Sequence, residues 1–313
     1  MKKSKVFWGY AVIALVIYAV VQLLITTEVI DLYYKNMLIT MCINIMLAVS
    51  LHIVIGVTGQ FSIGHAGFLA VGAYVSAIIT TKLMLPFPLA ILLGGAVAAA
   101  VAGLIVGIPT LRLKGGDYLA IATLGFAEII RIIFLNTDYV GGAAGMQVKY
   151  LSNWTYAFFG VVLTILVISN FTNSRHGRAC ISIREDEIAA DAMGINTTYY
   201  KVVAFAIGSF FAGLAGAIFA HNFYIIQPTT FGFLKSFDIL IYVVLGGLGS
   251  LSGSVIAAIF LTVVSTYLAN FPETRMIIYS LVLIIVMLYR PTGLMGTKEI
   301  TQLFKFGKKG GTK

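Results

Sequence analysis

Charge is scarce in this 313-residue chain and cysteine scarcer still, and each shortage removes a class of protein. Charged residues make up 11% and apolar residues 59%, where soluble domains average about 25% and roughly 45–50%. That balance excludes a water-soluble globule. The two cysteines, Cys42 in an apolar segment and Cys180 in a polar one, exclude a disulfide framework. His52, His65, His176 and His221 have no second ligand at metal spacing, so no metal site is expected. A Gly-x-x-x-x-Gly-Lys-Ser/Thr phosphate loop is also missing; the terminal GKKGGTK lacks its spacing, strand and helix. Such a chain cannot hydrolyse ATP by itself. The net charge is +9, yet the lysines and arginines are spread over loops without interleaved aromatics, which argues against nucleic acid as a partner.

What the chain has in quantity is long apolar runs and glycine, 32 residues of it, which suits close helix packing in lipid. A bilayer-crossing helix needs about 20 apolar residues. On that rule spans are expected near 7–27, 37–57, 62–81, 86–111, 118–135, 154–171, 202–220, 237–250, 253–270 and 276–289. The fold class is therefore all-α: a polytopic helical membrane protein with about ten transmembrane segments and a single transmembrane domain over residues 1–313. The basic start at Lys2, Lys3 and Lys5 resembles a signal peptide, but the apolar run that follows is too long and has no convincing cleavage site, so it reads as a retained first span.

Alternating sides from a cytoplasmic N-terminus places fifteen lysines and arginines inside and five outside, namely Lys35, Lys82, Lys149, Lys235 and Arg275. The positive-inside rule selects this orientation, with the C-terminus also cytoplasmic. The weakest span is 237–250, which runs into Gly246, Gly247, Gly249 and Gly253 and would also suit two half-helices or a re-entrant turn. The short basic tail, 290–313, begins where Pro291 and Gly293 stop the last helix and reads as a headgroup anchor to the lipid bilayer.

Polar residues inside such a chain carry information. Glu128 and Arg131 lie within a span, three residues apart on one helix face, and read either as a structural ion pair or as a polar element of a solute path. Asp117 is placed to cap the helix that follows it. Glycine-broken apolar segments occur twice, around Gln60, Ser62, Gly64 and His65 and again at Gly246 and Gly247. Such breaks either let helices pack closely or expose backbone to a midplane pathway. Both readings stay open.

The longest polar stretch, Ser174 to Asn196, lies on the basic side and predicts a helix over Ile181 to Met193 that Gly194 stops. Its small alanines suit either seating in a partner's groove or a solvated loop. The sequence IAADAMG at 188–194 resembles the coupling loop of ABC-importer permeases, with Glu187 one place before the position where that motif has glutamate. GQFSIGHAGFLAVGAY (59–74), LRLKGGDYLAIATLGFAEIIR (111–131), GGAAG (141–145), FAGLAGAIFA (211–220), LGGLGSLSGSVIAA (245–258) and RPTGLMG (290–296) resemble, in order, the landmarks of branched-chain amino acid permeases of the LivM type.

The resemblance implies a cytoplasmic coupling loop over 172–201 that acts through Glu187, Ala189, Ala190 and Gly194. The partners it implies are two cytoplasmic ABC ATPase subunits, a second, LivH-like permease and an extracytoplasmic substrate-binding protein. ATP and Mg would then be held on the partner ATPase subunits, with no cofactor on this chain, in the cell membrane. Alternatives are a permease for urea or another small polar solute, an ion-coupled carrier using Glu128, and a membrane scaffold that carries no flux.

Overall fold

A computed structural model describes residues 2–110, 116–268, 271–290 and 293–296. The described residues form an all-α membrane protein, with a helix over each expected apolar segment. In chain order these are α1 (Lys2–Thr26), α2 (Leu32–His52), α3 (His65–Thr81), α4 (Phe87–Thr110), α5 (Gly116–Leu135) and α6 (Trp154–Asn173), then α7 (Arg175–Glu185), α8 (Glu187–Ala192), α9 (Thr197–Ala220), α10 (Phe233–Gly246), α11 (Leu251–Tyr267) and α12 (Pro272–Tyr289). Two-residue strands, β1 (Met146–Gln147) and β2 (Ile225–Ile226), pair antiparallel with Met146 opposite Ile226.

Among the described residues, five stretches are long and apolar enough to cross a bilayer: Leu32–Val57, Phe87–Leu104, Tyr118–Leu135, Trp154–Asn173 and Thr197–Ala220. The 17-residue α3 and α11 are shorter, reaching about 26 Å at 1.5 Å per residue against a hydrocarbon core of about 30 Å. With 14 residues, α10 reaches only about 21 Å.

The core forms around α2, whose second half is buried on every side, as expected of a helix that is apolar all round. A π-helical turn, Ile53–Val57, extends it. Beside it α3, α4 and α9 pack through glycine. A Cβ on Gly72 would stand 2.2 Å from the Gly213 carbonyl oxygen, and one on Gly216 would stand 2.1 Å from that of Leu69. Removing Cβ lets these backbones meet, which is how helices gain dispersion energy where lipid offers no hydrophobic drive.

The chain has two differently furnished ends. At one, Val148 donates its amide to Tyr224 at 2.9 Å, Leu151 and Ser152 donate to His221, and Tyr33 Oη donates to the Thr266 carbonyl at 3.2 Å. At the other lie α7, α8 and both glycine-rich breaks. Here the segment after α12 folds back onto α10. The Leu294 amide donates to Leu245 at 2.9 Å and that of Met295 to Gly246 at 3.2 Å, filling carbonyls that a helix C-terminus leaves open.

Three expected boundaries are corrected. The single helix over Ile181–Met193 is two, because Asp186 leaves helical geometry and caps α8. The segment expected to span from 62 becomes helical only at His65, after an irregular stretch. The 237–250 segment begins earlier, at Phe233, and stops at Gly246, since Gly247 takes φ +109°. Asp117 falls in the first turn of α5 with its side chain outside the described residues, as do residues 111–115 and 291–292 and the tail from 297.

Candidate functional site

The polar island folds as a hook of two short helices. Ser174 opens α7, its Oγ accepting from the Gly177 amide at 3.2 Å, and Cys180 and Ile183 bury the inner face. Asp186 Oδ1 accepts from the Ile188 and Ala189 amides at 2.9 and 3.0 Å, so a short polar side chain ends one helix and starts the next. At the far end of α8, Gly194 takes φ +84°. Its amide donates to Asp191 at 2.9 Å while that of Ile195 donates to Ala190 at 3.1 Å, the paired bonds of a Schellman stop that glycine adopts most readily. Ala190 is buried beneath α8, whereas Ala189 and Gly194 are exposed. Glu187 pairs with Lys201 at 2.6 Å and pins the hook to α9. A pair this exposed adds little stability.

Exposed on α8 and just after it are Ile188, 83% accessible, and Met193, 82% accessible. In sequence Ile188 stands only as the residue at the place where the coupling-loop motif has glutamate, and the exposure of both side chains is decided by the tertiary structure. The hook is also wired inward. Arg184 Nη1 donates to the Gly56 carbonyl at 2.6 Å, in the π-helical turn of α2, and its stem lies where a Cβ on Gly59 would be, 2.8 Å away.

Beyond that turn lies the irregular segment that holds the expected path residues. Gln60, Ser62 and His65 are all buried. His65 Nε2 bonds Ser50 Oγ at 2.8 Å, and Ser50 in turn donates to Leu47, which leaves Nδ1 as a bare acceptor. Among the described residues, Gln60 Nε2, Ser62 Oγ and His65 Nδ1 have no hydrogen-bond partner. Unpartnered buried polar groups are expensive, so a cluster of them marks a place where something else enters or the segment moves. Gly64 allows the close approach to α5, since its Cβ would lie 2.1 Å from the Thr123 carbonyl oxygen. Gly246 packs on Gly253, and the turn that follows Gly247 touches this region, with the Leu248 carbonyl 2.4 Å from a Cβ on Gly56.

Glu128 stands apart from this group. Its Oε2 accepts from Arg131 Nε at 2.7 Å and its Oε1 accepts from the Phe233 amide at 3.1 Å. The carboxylate thus caps the first turn of α10, where the helix dipole favours negative charge. Gly246 and Gly247 sit at the other end of that helix, roughly 20 Å away. Among the described residues, no group of three or more His, Cys, Asp and Glu could hold a metal ion.

The hook carries one of the two cysteines. Burial pushes the Cys180 thiol up to about 11, so only about one molecule in a thousand is thiolate at pH 8. Folded protein is therefore expected to resist maleimide at pH 8, Cys42 being buried as well, and to label fully once unfolded in denaturant. Mass spectrometry of the two samples checks this.

The family described as branched-chain amino acid transport system, permease component, matches residues 33–287. The LivM high-affinity branched-chain amino acid transport permease of Salmonella typhimurium is 36% identical, over 73% of this chain and 62% of its own length, and LivM of Escherichia coli gives the same values. BraD of Pseudomonas aeruginosa is 30% identical over 53% of this chain and 55% of its own. The chain thus spans less than two thirds of the length of these relatives. With the family matched across most of the chain and the described apolar helices packed on one another, the chain belongs to the branched-chain amino acid transport system permeases, as a permease of the LivM type.

Proposed function

We propose that this chain is a membrane-spanning subunit of an ATP-driven importer for branched-chain amino acids, working by alternating access and coupled to separate ATPase subunits. The observation that carries this reading is the α7–α8 hook. It offers two highly exposed apolar side chains, one on a short helix and one at its C-cap, and Arg184 ties it to the π-helical turn of α2. An exposed Ile188 and Met193 flanked by small residues and charge fit the groove of a soluble partner.

In this reading the chain crosses the plasma membrane about ten times, with both termini and the hook in the cytoplasm. The lysine and arginine asymmetry supports that orientation, since alternating sides puts fifteen of these residues on the hook's side and five on the other. A second, LivH-like permease completes the pathway, two ATPases seat on the hooks, and an extracytoplasmic binding protein delivers the solute. ATP and Mg act on the ATPases. Closure of the ATPases would move α8, and Arg184 would pass that displacement to α2 and to the Gln60–His65 segment. Alternation then needs only the two arrangements of that segment to differ in free energy by what the ATPases supply.

The engagement of both Glu128 oxygens within the protein favours this externally driven device over an ion-coupled carrier. In reconstituted vesicles, Gly194→Val is expected to abolish leucine uptake and solute-stimulated ATP hydrolysis while membrane insertion stays intact. The branched side chain is strained at φ +84°. Ile188→Asp, which strains no backbone, is expected to stop the ATPase from co-purifying. Wild-type uptake by both variants would refute docking through α8.

A further inference from the structure

A cleft of 390 Å³ opens at the end of the chain opposite the hook, between α2, α10 and α11. It lies within the ~300–1,000 Å³ range of small-molecule sites. Its polar walls are Asn36, Thr40 and Asn44 from α2, Lys235 and Asp238 from α10, and Thr262 from α11. Helical spacing explains the convergence: 36, 40 and 44 follow one stripe of α2, while 235 and 238 share a face of α10. Met37, Phe223 and Tyr242 supply apolar surface.

Two observations point to an occupant. Asn44 is only 4% accessible and lies about 18 Å along α2, near the middle of its bilayer-length stretch. Its Nδ2 donates to Thr262 Oγ1 at 2.9 Å, but among the described residues its Oδ1 has no partner, and neither does Asn36 Oδ1. Both orphans are carbonyl oxygens. A site that leaves acceptors unfilled beside a carboxylate is built for a donor-rich cation, and Lys235 offers the complementary charge one helical turn away. Neither Lys235 nor Asp238 is idle in the solute-free chain, since each makes contacts of its own; a solute would exchange with these.

We propose that this cleft receives the solute as a zwitterionic α-amino acid. The Asn36 and Asn44 carbonyl oxygens and the Asp238 carboxylate take the ammonium, Lys235 takes the carboxylate, and the apolar wall takes an aliphatic side chain. This rests on the importer reading above and adds to it the entry site within this chain. A sugar or urea would leave the charged pair unmatched, and a dipolar ion matches both ends.

The test uses the assembled importer, both permeases with ATPases and binding protein, in vesicles that take up leucine. A Thr40→Cys variant is expected to react with a small methanethiosulfonate reagent from the side opposite the hook. Saturating leucine should slow that reaction at least tenfold, and 4-methylpentanoate, which lacks the ammonium, should not. Independently, Asn44→Leu should raise the KM for leucine about tenfold, with Asn44→Asp, which keeps an acceptor, close to wild type. Labelling unaffected by leucine, or no labelling because another subunit covers the cleft, overturns the site. So does a wild-type KM for Asn44→Leu. Each of these leaves the importer reading standing, whereas an intact complex that takes up no leucine sinks both.

Discussion

Arg184→Leu is expected to leave the importer assembled and hydrolysing ATP, with leucine uptake reduced at least tenfold and solute stimulation of the ATPase lost. The substitution keeps the apolar stem against Gly59 and leaves Cys180 and Ile183 to anchor α7, so the hook still folds. What disappears is the 2.6 Å bond from Nη1 to the Gly56 carbonyl, a direct polar link between the hook and the π-helical turn of α2, together with the exposed pair to Glu185, which lies within the hook and carries nothing to α2. A hydrogen bond from a charged donor contributes about 1.5–3 kcal/mol, and each 1.4 kcal/mol is a factor of about ten in an equilibrium. Losing it uncouples the hook's position from that of Gln60, Ser62 and His65. Lysine is not expected to rescue, because its ammonium carries no planar fork to hold the same angle. Parallel uptake and ATPase assays on one vesicle preparation read both quantities. Wild-type uptake together with wild-type stimulation would mean that force travels by another route.

Gly72→Val is expected to abolish the folded protein, or to leave so little that detergent-solubilised material elutes as aggregate. A Cβ there stands 2.2 Å from the Gly213 oxygen and 2.4 Å from its Cα. Both are backbone atoms, which cannot swing aside as a side-chain tip does. The helices α3 and α9 would have to part, and with them the contact in which Gly94 meets the Gly72 carbonyl. Overpacking of a tight core costs about 1–3 kcal/mol per site, and here one substitution disturbs three helices. Gly125 is the control, because nothing lies within 4 Å of its Cβ position. Gly125→Ala should fold normally and melt slightly higher, alanine being the better helix former by about 1 kcal/mol. Thermal unfolding in detergent, followed by size-exclusion elution, separates the two. A well-folded Gly72→Val would show that the glycine contacts are not what holds α3 against α9.

Much of this architecture was legible because helices in lipid must satisfy their own backbone and present apolar surface, a local requirement written into consecutive residues. The apolar segments, the polar island and its Gly194 stop all follow from that. The failures share another cause. Asp186 was read as part of a helical acidic run, yet its side chain bonds two amides ahead and breaks the run in two, a competition in which a short polar residue favours the cap over the helix interior. The stretch from 62 reads as the start of a span, and only the approach of Gly64 to α5 shows why the helix waits until His65.

Glu128 illustrates the limit most directly. Its pairing with Arg131 follows from a spacing of three, but its bond to the Phe233 amide joins residues 105 apart in sequence. Asn44 was visible as a polar residue inside an apolar run, and its meaning was not, because Thr262 lies 218 residues away. Composition and periodicity along the chain were enough to predict a helical membrane protein with one long polar stretch between its apolar segments, since each helix obeys rules that reach only three or four residues. Which helices meet, which glycines touch backbone, and which polar atoms are left wanting a partner are settled by packing between segments far apart in the chain, and no local pattern encodes those distances.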